Sequence, residues 1–269
     1  MADDQLVPSD PETEAPARGR GANTIERSIE RLLSVQRPLV LAHLRRIRAQ
    51  QPDANPAEVI GILERRYLAA VTSGGAAVGA SAVIPGVGVG ISLALSGAET
   101  AGFLEASALF AQSVTEVHGI AVDDPERART LVMAMMLGSA GSDLVRQFAE
   151  QAAGTGTTRS RFWGELVTRS LPKSALGQIG GRIRRRFVRW FTATQGASVV
   201  GRVIPFGVGA VIGGVGNHLL GRKVIASSRT AFGPPPVIFP LVLGPTIYRA
   251  KRPRLRIQRR LGERTDDVK

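Results

Sequence analysis

Between Leu68 and Ala98 the chain has no charged residue, and a proline-glycine pair, Pro85-Gly86, stands near the middle of that run. By length alone such a run could cross a bilayer, for which about 20 apolar residues suffice. Proline, however, lacks an amide donor and disfavours helix in the residue before it, so the run is predicted to form two helices joined by a tight turn. The stretch Gly79 to Ile91, GASAVIPGVGVGI, has an echo at Gly196 to Ile212, GASVVGRVIPFGVGAVI, where Pro205 takes the place of Pro85. Two glycine-rich apolar hairpins are therefore expected, each turning at an Ile-Pro motif.

Small residues recur four apart on both sides of these turns. Beyond the first come Gly86, Gly90, Ala94, Ala98, Gly102 and Ala106; around the second come Gly201, Pro205, Gly209, Gly213, Asn217 and Gly221. Gly75 and Gly79 add the same small-residue spacing to the helix that enters the first hairpin. Residues four apart share a helix face, so each row is expected to be a contact face that lets another backbone approach closely. Glycine inside a helix costs about 1 kcal/mol relative to alanine, and close packing has to offset that cost. Two settings satisfy this pattern: association in lipid through van der Waals packing, or a lipid-free core of tightly crossed helices.

The remainder reads as helix as well, so the predicted fold is an all-α, multi-helix bundle. Asn55-Pro56 and Asp123-Asp124-Pro125 are cap-plus-proline starts for helices through Val59 to Tyr67 and through Val132 to Leu137. Ile25, Ile29, Leu32 and Leu33 follow Thr24 at helical spacing, and Pro38 restarts the helix before Leu39 and Leu44. Arg159 to Leu171 and Lys173 to Thr194 are predicted as two helices broken at Pro172, with a loop at Gly154 to Thr158 before them. Residues 1–24 are acidic and Pro-rich, which predicts a disordered leader; 25–245 form the helical domain, and 246–269 a basic tail. The leader has no basic segment followed by an apolar one, so no cleaved secretory signal is expected and the cytoplasmic side is the expected location.

Charge is divided unevenly. Residues 1–158 hold 13 Lys and Arg against 18 Asp and Glu, and residues 159–269 hold 22 against 4. In the basic half, Ile179, Ile183, Phe187, Trp190 and Phe191 form one helical stripe, with Arg182, Arg185, Arg186 and Arg189 beside it. Tryptophan next to arginine on an amphipathic helix is a membrane-interface pattern, so anionic lipid is the expected partner of this helix and of the tail from Arg249 to Arg260. A solvated basic face is the alternative, and nucleic acid is not the expected partner.

The hairpin motifs SGGAAVGASAVIPGVGVG and VIPFGVGAVIGGVGNHLLGRKVI, with SGAETAGFLEASALFAQSVTEVHGI between them, resemble the EcsC family of bacterial proteins over roughly Leu63 to Phe232. The family takes its name from a gene beside an ABC transporter. The resemblance implies a membrane-linked accessory role of unsettled biochemistry, and relatives sometimes carry a peptidase label.

A catalytic apparatus is not visible. The chain has no cysteine, which removes thiolate metal sites, cysteine nucleophiles and disulfides. His43, His118 and His218 are isolated from one another, and no G-x-S-x-G nucleophile elbow occurs. Gly216 to Lys223 has the glycine spacing of a phosphate loop but Arg222-Lys223 where Lys-Ser/Thr is needed. No cofactor and no metal are expected. Carboxylates on an otherwise apolar helix, Glu99, Glu105 and Glu116, are the one candidate polar site, because a charge there is costly unless paired. They either form a polar stripe paired to arginines or line a cavity for a cation, proton or peptide group. Three functions follow: a membrane accessory protein that docks its hairpins and packs on a membrane protein or on itself, a hydrolase built from these glutamates and a distant histidine, and a soluble module for anionic partners.

Overall fold

The structure, a computed structural model, describes residues 27–81, 89–153, 162–201 and 208–244. After a helical turn at 27–32 come α1 (Arg37–Gln50), α2 (Pro56–Ser81), α3 (Val89–Val117), α4 (Pro125–Leu137) and α5 (Ser139–Ala153). Then follow α6 (Trp163–Glu165), a π-helical turn at Leu166–Ser170, α7 (Lys173–Gly201), α8 (Val208–Phe232) and a 3-10 turn at Leu241–Leu243. Among the described residues there is no strand, and the chain is an all-α multi-helix bundle. The leader, the tail, the start at Thr24, the loop at 154–158 and the turn residues Pro85, Gly86 and Pro205 lie outside the described residues.

Local chemistry sets the helix starts. Glu58 donates its amide to Asn55 Oδ1 at 3.0 Å while Asn55 returns its amide to Glu58 Oε2 at 2.8 Å, a reciprocal capping box in front of α2. Asp124 accepts from the amide of Glu126 at 2.8 Å and opens α4, with Pro125 in the first turn. Pro38 sits in the first turn of α1, in keeping with a restart there.

Three predicted boundaries differ, and one of them is the end of α7, which runs past the predicted Thr194 to Gly201. The helix to Tyr67 and the apolar run after it are one continuous α2, since no breaker stands between them. The helix predicted over Arg159 to Leu171 is, in its described part, only α6 and the π turn. Phe162 is extended, and the Arg127 guanidinium takes the carbonyl oxygens of Val167 at 2.8 Å and Leu171 at 2.7 Å. That side chain satisfies carbonyls at the end of a turn that Pro172 prevents from continuing.

The centre of the bundle is α4. Its run Thr130 to Leu137 is buried on every side, as a helix apolar all round must be. It packs against α3, α5, α7 and α8. Gly141 of α5 lies so close to α4 that a Cβ there would overlap the backbone of Ala134. The second buried helix is the C-terminal half of α3, where Phe103 to Val117 contributes Leu104, Phe110, Ala111 and Val114 to the same core.

The face of α7 that carries Ile179, Ile183, Phe187 and Phe191 is buried in this core. Its apolar stripe therefore meets protein, and what α7 turns outward is its arginine row.

Candidate functional site

Core side chains stop at one level. Among the described residues, the last on α2 is Val71, the first on α3 is Phe103, and the first on α8 is Val224. Beyond it α2, α3 and α8 continue toward the same end of the molecule as an arm, packed on one another. Among the described residues the longest interface is that of α2 with α8, followed by α2 with α3. Gly221 lies against Tyr67, Leu68 and Val71, and Gly214 against Thr72 and Ala76, so α8 runs antiparallel along α2 with glycine at the closest approach. Asn217, between them, donates its amide to the carbonyl of Val71 at 3.1 Å and to Glu99 at 2.9 Å, tying three helices together. His218 Nδ1 and Thr72 Oγ1 are 3.2 Å apart, a second link between α8 and α2.

The two small-residue rows have different fates. On α8 the row is a contact face, as Gly221 shows. On α3 three of its described members are open: Ala94 and Ala98 are exposed, and a Cβ on Gly102 would meet nothing within 4 Å, while Ala106 packs against the core. Gly75 is buried, while Gly79, Gly90, Gly209 and Gly213 lie in helices with surroundings outside the described residues. Helices flank the second Ile-Pro motif on both sides, and the turn between them lies outside the described residues. Among the described residues α7 and α8 barely touch, and α8 pairs with α2 across the bundle.

The arm exposes Ala69, Ala70, Ser73, Ala77, Ala94, Gly97 and Gly216, together with Val215 at 51% and Leu219 at 61%. No Asp, Glu, Lys or Arg occurs on it from Tyr67 to Ala98 or from Val208 to Gly221. A second apolar exposure, with Val237, Ile238 and Leu241, lies at the opposite end of α3, where Pro240 meets Gly119. That segment is held down by Phe239 beneath Arg48 and by buried Leu243. Among the described residues no helix is long and apolar enough to cross a membrane.

The three glutamates do not form one site. Residues 99 and 116 are about 25 Å apart along α3 at 1.5 Å per residue. Glu99 is held by Asn217. Glu116 is buried, 5% exposed at its side chain, and Arg37 Nε donates to it at 2.5 Å while Arg37 Nη1 reaches Asp123 at 3.0 Å. Glu116 and Asp123 hold the Arg37 guanidinium above its ordinary pKa. Pairing to arginine, one of the two alternatives read from the sequence, is what Glu116 does.

Glu105 faces a groove, of about 590 Å³, between α3 and residues 31–43, lined also by Arg31, Ser34 and His43. Burial, aided by the cations Arg66 and Arg46, pushes His43 below the usual histidine pKa. Ser34, however, gives its hydroxyl hydrogen to the carbonyl of Glu30 at 2.7 Å, and no hydrogen bond joins it to His43. No activated nucleophile is present in this groove. Among the described residues no group of three His, Asp or Glu could hold a metal.

The arginine row is solvent-facing. Arg185, Arg186 and Arg189 are exposed, and Arg182 stacks on the Phe148 ring at 4.6 Å. Trp190 is half-buried, packed against Phe187 and Phe191, with Lys223 Nζ 5.7 Å from its ring. The stacking of Lys223 on Trp190 joins residues far apart in sequence, and no local pattern announces it.

Fold and site together define a helical bundle that carries a charge-free, glycine-packed arm. No family model matches the chain, and no curated protein or solved structure is similar to it.

Proposed function

We propose that this chain is a membrane-associated accessory protein that docks its arm into the apolar layer of the cytoplasmic membrane, in line with its resemblance to the EcsC family. The observation that carries the reading is the arm itself: three helix segments that leave the core together, hold no Asp, Glu, Lys or Arg from Tyr67 to Ala98 or from Val208 to Gly221, and expose Val215 and Leu219. Water gives no reason to extend such a surface, since burying a Val or Leu side chain is worth about 1.5–3 kcal/mol.

Docking suits the arm better than spanning. The charge-free part of α2, Tyr67 to Ser81, is about 22 Å long at 1.5 Å per residue, short of the roughly 30 Å hydrocarbon layer. The accessory role follows from the open small-residue row on α3, which can receive a helix of a membrane protein or of a second copy.

Fractionation of cells expressing the full-length chain tests this. The expected result is membrane association that survives a high-salt wash, and its loss in Val215→Asp/Leu219→Asp. Protein that is soluble throughout overturns the reading. Loss in Ile238→Asp/Leu241→Asp, with the arm variant still bound, assigns the contact to the loop at the other end instead.

A further inference from the structure

On each of four helices the charged residues end at one level, and contacts between the helices establish that the levels coincide. The last charge on α2 is Arg66, the first on α3 is Glu99, the last on α7 is Arg189 and the first on α8 is Arg222; one further charge, Arg202, falls in the link between α7 and α8, outside the described residues. Gly221, one residue before Arg222, lies against Leu68 and Val71 of α2. Asn217 joins Val71 to Glu99. Lys223 lies over the ring of Trp190, the residue after Arg189. A single plane thus crosses the molecule where the core ends and the arm begins.

That plane is cationic. Arg65, Arg66, Arg189, Arg222 and Lys223 are all exposed on it, with Trp190 half-buried among them. The carboxylates close to it on α2 and α3 are engaged, Glu64 with Arg229 at 2.6 Å and Glu99 with Asn217. Cations with an adjacent tryptophan at the foot of an apolar element form the arrangement that meets lipid headgroups, where the indole is amphipathic and guanidinium pairs with phosphate.

Resting on the docking reading above, we infer that this belt is a binding surface for anionic phospholipid headgroups and sets the depth to which the arm enters. It differs from the surface that α7 would offer if the protein lay flat along Arg182 and Arg185, which are about 12 and 8 Å farther down the helix from Trp190.

The test is cosedimentation of the full-length chain with vesicles of phosphatidylcholine alone and of phosphatidylcholine mixed with phosphatidylglycerol. A cation near an anionic leaflet contributes roughly a fivefold gain in affinity, so three contribute about 100-fold. The expected result is that the native chain prefers the anionic vesicles, and that R65Q/R189Q/R222Q, with unchanged circular dichroism, loses about 100-fold there and keeps its binding to neutral vesicles. R182Q/R185Q is expected to retain the preference. A belt variant that keeps the preference, a native chain indifferent to vesicle charge, or loss of the preference in R182Q/R185Q instead, overturns the belt while leaving the arm reading intact. A native chain that binds neither vesicle overturns the arm reading itself, and the belt with it.

Discussion

Asn217 on α8 donates its side-chain amide to the carboxylate of Glu99 on α3 at 2.9 Å, at the level where the core ends and the arm begins. The same amide reaches the Val71 carbonyl, so one side chain closes the three-helix arm at its base. Asn217→Ala leaves both acceptors without this donor in a half-buried setting and is expected to cost about 1–3 kcal/mol. Urea unfolding checks it, through a lower midpoint at an unchanged slope.

Arg37 and Glu116 make the corresponding tie between α1 and the buried half of α3. Breaking a buried pair from one side costs about 3–5 kcal/mol because the remaining charge is stranded. Arg37 is 29% exposed, so the lower end applies: Arg37→Ala is expected to lose about 3 kcal/mol. The double variant Arg37→Ala/Glu116→Gln is expected to be more stable than Arg37→Ala alone. A double-mutant cycle reads the coupling directly, and additive losses would show that the pair contributes nothing.

Glycines of two kinds are distinguishable by substitution. Gly141→Ala drives a methyl group into the Ala134 backbone, which cannot yield as a flexible side chain can, and is expected to destabilise by about 2 kcal/mol or more. Gly102→Ala meets open space, in the groove beside Glu105, and is expected to stabilise by up to about 1 kcal/mol through helix propensity. Thermal melts of the two variants, moving in opposite directions, check both.

Histidines give the stability its acid dependence. Burial pushes His118, stacked on Phe232 at 5.3 Å, below its ordinary pKa, against a smaller upward pull from Glu165. His43 is shifted the same way by burial and by Arg66 and Arg46. A lowered folded-state pKa means that the unfolded chain takes up the proton first. Stability from these rings is therefore fully present above about pH 6.5 and falls as the pH drops until the folded rings are protonated as well. Denaturation at pH 7.5 and 5.5 is expected to show a loss at the lower pH that His43→Gln/His118→Gln reduces.

Much of the architecture is legible in the sequence because it rests on local chemistry. The capping box at Asn55 and Glu58, the Asp124 cap and the proline starts satisfy amide groups within a few residues of themselves. The helix through Val132 to Leu137 was announced by its Asp124-Pro125 start, while its place at the centre of the bundle, buried on every side, was decided by packing. The π turn at Leu166–Ser170 was not legible, because Arg127, some 40 residues earlier, satisfies its carbonyls.

The site divides in the same way. By itself the sequence determined that two charge-free, glycine-spaced helical segments exist, that arginines gather on α7, and that buried glutamates on α3 would require partners. Only the tertiary structure decided that α8 would lie along α2 and leave Ala94, Ala98 and Gly102 of α3 open, that the apolar stripe of α7 would enter the core, and that charges on four helices would end at one level. A row of small residues states that a backbone can approach closely but not which backbone does, since that choice is made by side chains packing across distances that no local pattern records.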